Sequence, residues 1–247
     1  MSTPRPQGPR NRRQQPPHAS NPRERILEAA SEVFLKKGFD GATVHEIIFV
    51  ADVSKKAFYT LFPSDRTEDG PKRLLAAAIM AGTLTMDGLR PQRALLQEAF
   101  DIASILAYRV MNQKILLAAL TLSFHADARV SYGTPWPQWI EFNIDQLTKA
   151  KNRGELRPHV LPEEIAYQIS AGWSGLVFTT RAIDGDLANL PERVSVMYRT
   201  LFAAIAQPEV IPVIDTSPNR GERLYLDFLR EARRVVSESS AASLGGV

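Results

Sequence analysis

The sequence predicts an all-α protein in two parts, an N-terminal three-helix unit with helix-turn-helix spacing and a larger C-terminal helical bundle. Three observations predict it. Residues 24–62 read as one amphipathic helix followed by two short helices across a tight turn. From Lys72 onward the apolar residues keep a helical period and strand-like alternation is almost absent. The chain, at 247 residues, exceeds one such unit and has room for a second, larger core.

The first helix shows its inner face through Ile26, Ala29, Ala30, Val33 and Phe34, spaced i, i+3, i+4, i+7, i+8. Gly38 is placed to end it in a left-handed turn, with Lys36 and Lys37 complementing the negative end of the helix dipole. Thr43 is the N-cap of the second helix, with Val44, Ile47, Ile48 and Val50 facing inward. Ala51-Asp52-Val53 is the turn, and Ser54 caps a third helix from Lys55 to Thr60, held to the core by Phe58 or Leu61.

Further helices are predicted over 72–89, 91–111, 113–126, 136–152, 162–184, 190–206 and 221–237. Pro208, Pro212 and Pro218 make 207–220 an extended connection. The last helix carries Tyr225, Phe228, Leu229, Ala232, Val235 and Val236 on one stripe that packs on the bundle, and 239–247 is a flexible tail of small residues. Segment 162–184 is apolar on nearly every side between Ile165 and Phe178, so it must be covered all round. With 190–206 it is the candidate for a dimer seam, because a paired DNA reader needs two-fold symmetry. The predicted organisation is thus a disordered basic arm over 1–22, a DNA-binding unit over 23–71, and a ligand-binding and dimerisation unit over 72–238. The arm holds Arg5, Arg10, Arg12 and Arg13, six prolines and no acid. Such an arm either follows the minor groove or phosphates of DNA or is a solvated tail.

Composition narrows the chemistry. The chain has no cysteine, which excludes disulfides, thiolate catalysis and thiol metal sites. His18, His45, His125 and His159 lack ligand spacing, and His45-Glu46 lacks the second histidine of a zincin, so no metal or other cofactor is expected. Gly172-Trp173-Ser174-Gly175 lacks nucleophile-elbow spacing, so no enzyme is expected either. No apolar run reaches bilayer length and no signal-peptide core is present, so the expectation is a soluble cytoplasmic protein without a membrane partner. A formal charge of +3 is too slight to demand a nucleic-acid partner by itself.

The three-helix unit does point to double-stranded DNA. The third helix offers Lys55, Lys56, Tyr59 and Thr60 to solvent, with Thr43 and Ser54 at helix starts where hydroxyls and amides meet phosphates. The pattern Thr43-Val44-x-x-Ile47-x-x-x-Ala51-x-Val53-Ser54-x-x-x-x-Tyr59-x-x-Phe62 resembles the signature of the TetR family of repressors. It departs from that signature at Ile48, Asp52, Lys56 and Leu61, where alanine, glycine, glycine and histidine are usual. Residues 64–70 look inserted before Lys72-Arg73-Leu74-Leu75, the start of the fourth helix, and the resemblance matches Lys72 to the family's phosphate-contacting lysine.

Farther along, Trp136-Pro137-Gln138-Trp139, the run from Gly154 to Glu164 and Gly172-Trp173-Ser174-Gly175 resemble the γ-butyrolactone receptor branch of that family. The resemblance implies a homodimer released from operator DNA by a small γ-butyrolactone, butenolide or furan signal, with antibiotic and other secondary-metabolite genes as targets. Trp139 matches the tryptophan that lines the pocket of such receptors. Around it are expected Phe142, Trp173, Val177 and Phe178 as apolar wall, with Gln138, Ser174 or Thr179 as polar contacts. Aromatics at helical spacing also serve as plain core. The competing readings are a constitutive DNA-binding regulator with a filled pocket and a drug-sensing repressor of an exporter.

Overall fold

The computed structural model describes residues 21–63, 70–81, 88–125 and 136–244. The predicted basic arm falls outside the described residues except for its end, because Pro22 already opens the first helix. α1 (Pro22–Gly41) starts at Asn21, whose side chain accepts a hydrogen bond from the Arg23 amide at 2.9 Å. Gly38, at φ 74 and ψ 175, breaks it as the lysine–glycine pair predicts, and one further turn follows. α2 (Val44–Ala51) is capped by Thr43, and α3 (Lys55–Leu61) by Ser54. Between them Asp52 takes the left-handed conformation at φ 51, as the carboxylate side chain allows where glycine is usual. Phe58 is the residue that anchors α3, while Leu61 is exposed. Val50, expected to face inward, is 41% exposed, since the inner face of so short a helix is filled by Ile47, Ile48 and Ala51.

α4 (Gly70–Ala81) is already helical at Gly70, two residues before the predicted start. Leu75, Ala76 and Ile79 of α4 and Ala118, Ala119 and Leu122 of α6 share one core with Ile26, Phe34, Ile47 and Phe58. The N-terminal unit is therefore closed by helices beyond residue 71.

The second core is built on α5 (Leu95–Asn112), α6 (Lys114–Leu122), α7 (Trp136–Asn152), α8 (Pro162–Asp184) and α9 (Leu190–Ile205). α5 contributes the most residues to it, with the Phe100 ring edge-on to Tyr198 of α9 and the Ala103 carbonyl accepting from the Trp173 indole of α8. A single 3-10 turn, Ile211–Val213, interrupts the proline-rich connection, and α10 (Arg220–Leu244) follows. α10 crosses the other side of α5, which explains why Gln97, Asp101, Ser104 and Arg109 are buried there: Asp101 takes a two-pronged salt bridge from Arg220, at 2.5 and 2.9 Å.

Two expectations change. The predicted small-residue tail is helical as far as Leu244, and the apolar stripe of α10 is uncovered toward its end, Val235 being 56% exposed. α8 is not covered all round within one chain, since Tyr167 is 60% exposed and Ala171 and Gly175 lie on the same open side. Among the described residues no single helix is long and apolar enough to cross a membrane.

Candidate DNA-reading face and ligand cavity

The two hydroxyls predicted at helix starts act as caps. Thr43 Oγ1 accepts the Glu46 amide at 3.2 Å and Ser54 Oγ accepts the Ala57 amide at 3.1 Å. On α3, Phe58 and Phe62 turn into the core, which at 100° per residue leaves Lys56 and Thr60 on the opposite face and Lys55 and Tyr59 on its flank. Thr60 Oγ1 donates back to the Lys56 carbonyl at 2.8 Å. Tyr59, 43% exposed, stands edge-on to Phe58 with ring centroids 5.3 Å apart, so its ring is braced while its phenol points out. Among the described residues neither Lys55 nor Lys56 is held in an ion pair, which leaves both ammonium groups available to an anionic partner.

Lys72 does not join this face. It is buried, its ammonium donates to the Phe39 carbonyl at 3.3 Å and lies 5.0 Å from the centre of the Phe39 ring. Its side chain turns into the end of α1, and a phosphate contact would require it to leave that site.

In the second core, α5, α6, α7, α8 and α9 enclose an apolar cavity. Trp139, Trp173 and Ser174 of the predicted set line it, together with Leu106, Leu116, Leu120, Trp136, Asn143, Ser170 and Tyr198. Its volume is about 40 Å³, room for no more than a few waters. A wider groove of about 450 Å³ adjoins it, lined by Phe124, Ile140, Tyr167 and Phe178. Trp136, Ser170 and Ser174 border both spaces.

Polar groups are sparse. Trp173 is fixed by its indole, which donates to the Ala103 carbonyl at 3.1 Å. Ser174 Oγ donates to the Ser170 carbonyl at 2.6 Å, and Asn143 Nδ2 donates to Ser170 Oγ at 3.3 Å. Burial of Tyr198 pushes its phenol up and keeps it neutral. No Lys, Arg or His among the described residues lines either space, and no three metal-ligating side chains gather among them.

The remaining predicted residues lie elsewhere. Val177 is fully buried core, Phe142 packs on the core behind the wall, and Gln138 and Thr179 point to solvent, the latter donating to the Gly175 carbonyl at 2.7 Å. Sequence reasoning missed Asn143 and Ser170. Asn143 lies one turn past Trp139, on the stripe that starts at Trp136, and Ser170 one turn before Ser174. A polar residue on an apolar helical stripe was the available signal.

α6 joins the two regions. Leu116 and Leu120 face the cavity while Ala118, Ala119 and Leu122 face the N-terminal core. Lys114 pairs with Glu32 of α1 at 2.8 Å, and His125, just past α6, reaches Asp40 at 3.1 Å.

Residues 26–64 match the family model of bacterial regulatory proteins, tetR family. The A-factor receptor protein of Streptomyces griseus is 29% identical over 218 residues, 88% of this chain and 75% of that protein. Full-length native TylP, a TetR regulator from Streptomyces fradiae, superposes with a TM-score of 0.70 at 28% identity, covering 85% of this chain and 99% of that one. The fold is also that of a γ-butyrolactone receptor described as ArpA-like, with a TM-score of 0.66 at 21% identity over 83% of this chain and 97% of that one.

Proposed function

We propose that this chain is a repressor of the TetR family that grips operator DNA as a homodimer and releases it when a small neutral signal enters the cavity. The observation that carries the reading is the double duty of α6, whose one face walls the cavity and whose other face closes the core beneath the DNA-reading helices. The cavity of about 40 Å³ is by itself too small for a drug-sized ligand, so a ligand that enters it either extends into the adjoining groove or parts the helices around it. A ligand that binds only the parted state shifts the population toward it, and α6 carries the change to α1 and α4. To turn mostly bound into mostly free, the signal needs a preference between states of about 5 kcal/mol.

The lining supports a ligand class. With no cationic side chain among its described residues, an apolar wall and one Asn143–Ser170 polar pair suit a γ-butyrolactone or butenolide carrying an alkyl chain better than a furan carboxylate. The likeness to the A-factor receptor supports a signal-responsive regulator, and secondary-metabolite genes, antibiotic biosynthesis among them, are its proposed targets. Homodimerisation is supported by the open side of α8, where Ala171 and Gly175 permit close approach, and by exposed Val196 on α9.

The test is electrophoretic mobility on DNA from upstream of its own gene with γ-lactones, butenolides and alkyl furan acids. Release by a neutral lactone or butenolide is expected. Specific binding that no compound releases would support the constitutive reading, and release by many unrelated compounds the drug-sensing one.

A further inference from the structure

One contact of α10 bears on how the cavity reaches the DNA-reading unit; it rests on the operator-binding reading but not on any ligand. α5 and α6 are joined by the single residue Gln113, and their axes turn through 104° there. The α5 side of that corner walls the cavity and the α6 side supports the N-terminal core, so the angle between them links the two. α10 reaches the corner from outside. Gln113 Nε2 donates to the Tyr225 hydroxyl at 2.8 Å, and Gln113 Oε1 accepts from Arg109 Nε at 3.3 Å. The buried Arg109 guanidinium lies 5.6 Å from the centre of the Tyr225 ring, and the Tyr108 ring 6.0 Å from it.

Tyr225 is held there from upstream. Arg220 grips the buried Asp101, and at Gly221 the two helices touch so closely that a Cβ would lie 2.0 Å from the Ser104 carbonyl oxygen. Successive turns of α10 thus follow successive turns of α5 up to the corner. We infer that Tyr225 is a positioning residue for operator control: through Gln113 it fixes the α5–α6 corner, so that movement of the cavity wall is passed to α1 and α4 and not lost in bending.

The test is amide hydrogen exchange on the full chain as wild type, Tyr225→Phe, Gln113→Ala and the double variant, each free and bound to the best duplex from in vitro selection. Tyr225→Phe keeps the ring and removes one hydroxyl, so the fold and operator affinity, the latter within about threefold, are retained. Exchange at residues 113–117 is expected to rise about tenfold in either single variant and no further in the double, the sign of one shared interaction. The change that DNA causes at 116–120 is expected to fall to about a third or less in Tyr225→Phe. An unchanged corner, additive effects, or a loosened corner with the full response to DNA would each overturn the inference. Failure of the wild type to select any DNA would defeat the operator reading first, and this inference with it.

Discussion

Trp139 and Asn143 sit one turn apart on α7 and present one aromatic face and one amide to the same small cavity. Trp139→Ala is expected to abolish release by lactone while operator affinity stays within about threefold, because the side chain touches the cavity and not α3. A full response in a mobility assay would remove Trp139 from the site. At the other end, Tyr59→Ala is expected to weaken operator binding by about 1–3 kcal/mol with an unchanged melting temperature, since the braced phenol is outside the core. Unchanged affinity would mean that another surface meets DNA. Asp52 gives a stability test free of function: Val in its left-handed position is expected to cost about 1–2 kcal/mol in urea unfolding, and Gly to be tolerated. Much of this was readable beforehand. Caps and the left-handed turn are set by local chemistry, so Thr43, Ser54, Gly38 and Asp52 could be placed from sequence. Lys72 could not, because its burial depends on Phe39, thirty-three residues away.

Among the elements, α8 was legible to the residue at both ends and α7 at its C-terminal end, the start of α8 marked by Pro162 and the ends of both by a break in apolar period. The length of α10 was not: small residues near its end carry no apolar signal, and the helix persists without one. Nor could periodicity reveal that α5 is buried on both sides, its polar stripe met by α10. The anchor of α10 has a pH dependence. Burial works to raise the Asp215 carboxyl, but the Ser217 hydroxyl and amide and the Arg220 guanidinium hold it down to about 2. A carboxyl lowered in the folded state lends stability that is present above its unfolded value and is lost as pH falls through the folded one. Docking of α10 is therefore expected to hold above about pH 4 and to weaken between about pH 4 and pH 2, discounted for the partial exposure of Asp215. Hydrogen exchange along 220–230 would follow it, and loss of protection already at pH 6 would contradict the assignment.

At the scale of the molecule, two cores share α6, and on the proposed reading this sharing makes a ligand-binding bundle and a DNA reader one device. The sequence signalled each core separately through its own motifs. Their fusion was not legible, because which face of α6 meets which neighbour is settled only by packing at distances far greater than a helical turn. The account requires that cavity and operator compete through one equilibrium, and such coupling is reciprocal. The direct measurement is the affinity of an alkyl γ-lactone for the free protein and for the same protein saturated with operator, read from quenching of the cavity tryptophans. The account predicts that operator weakens lactone binding by the same factor by which lactone weakens operator binding, at least about tenfold. Equal lactone affinity in the two states would contradict it.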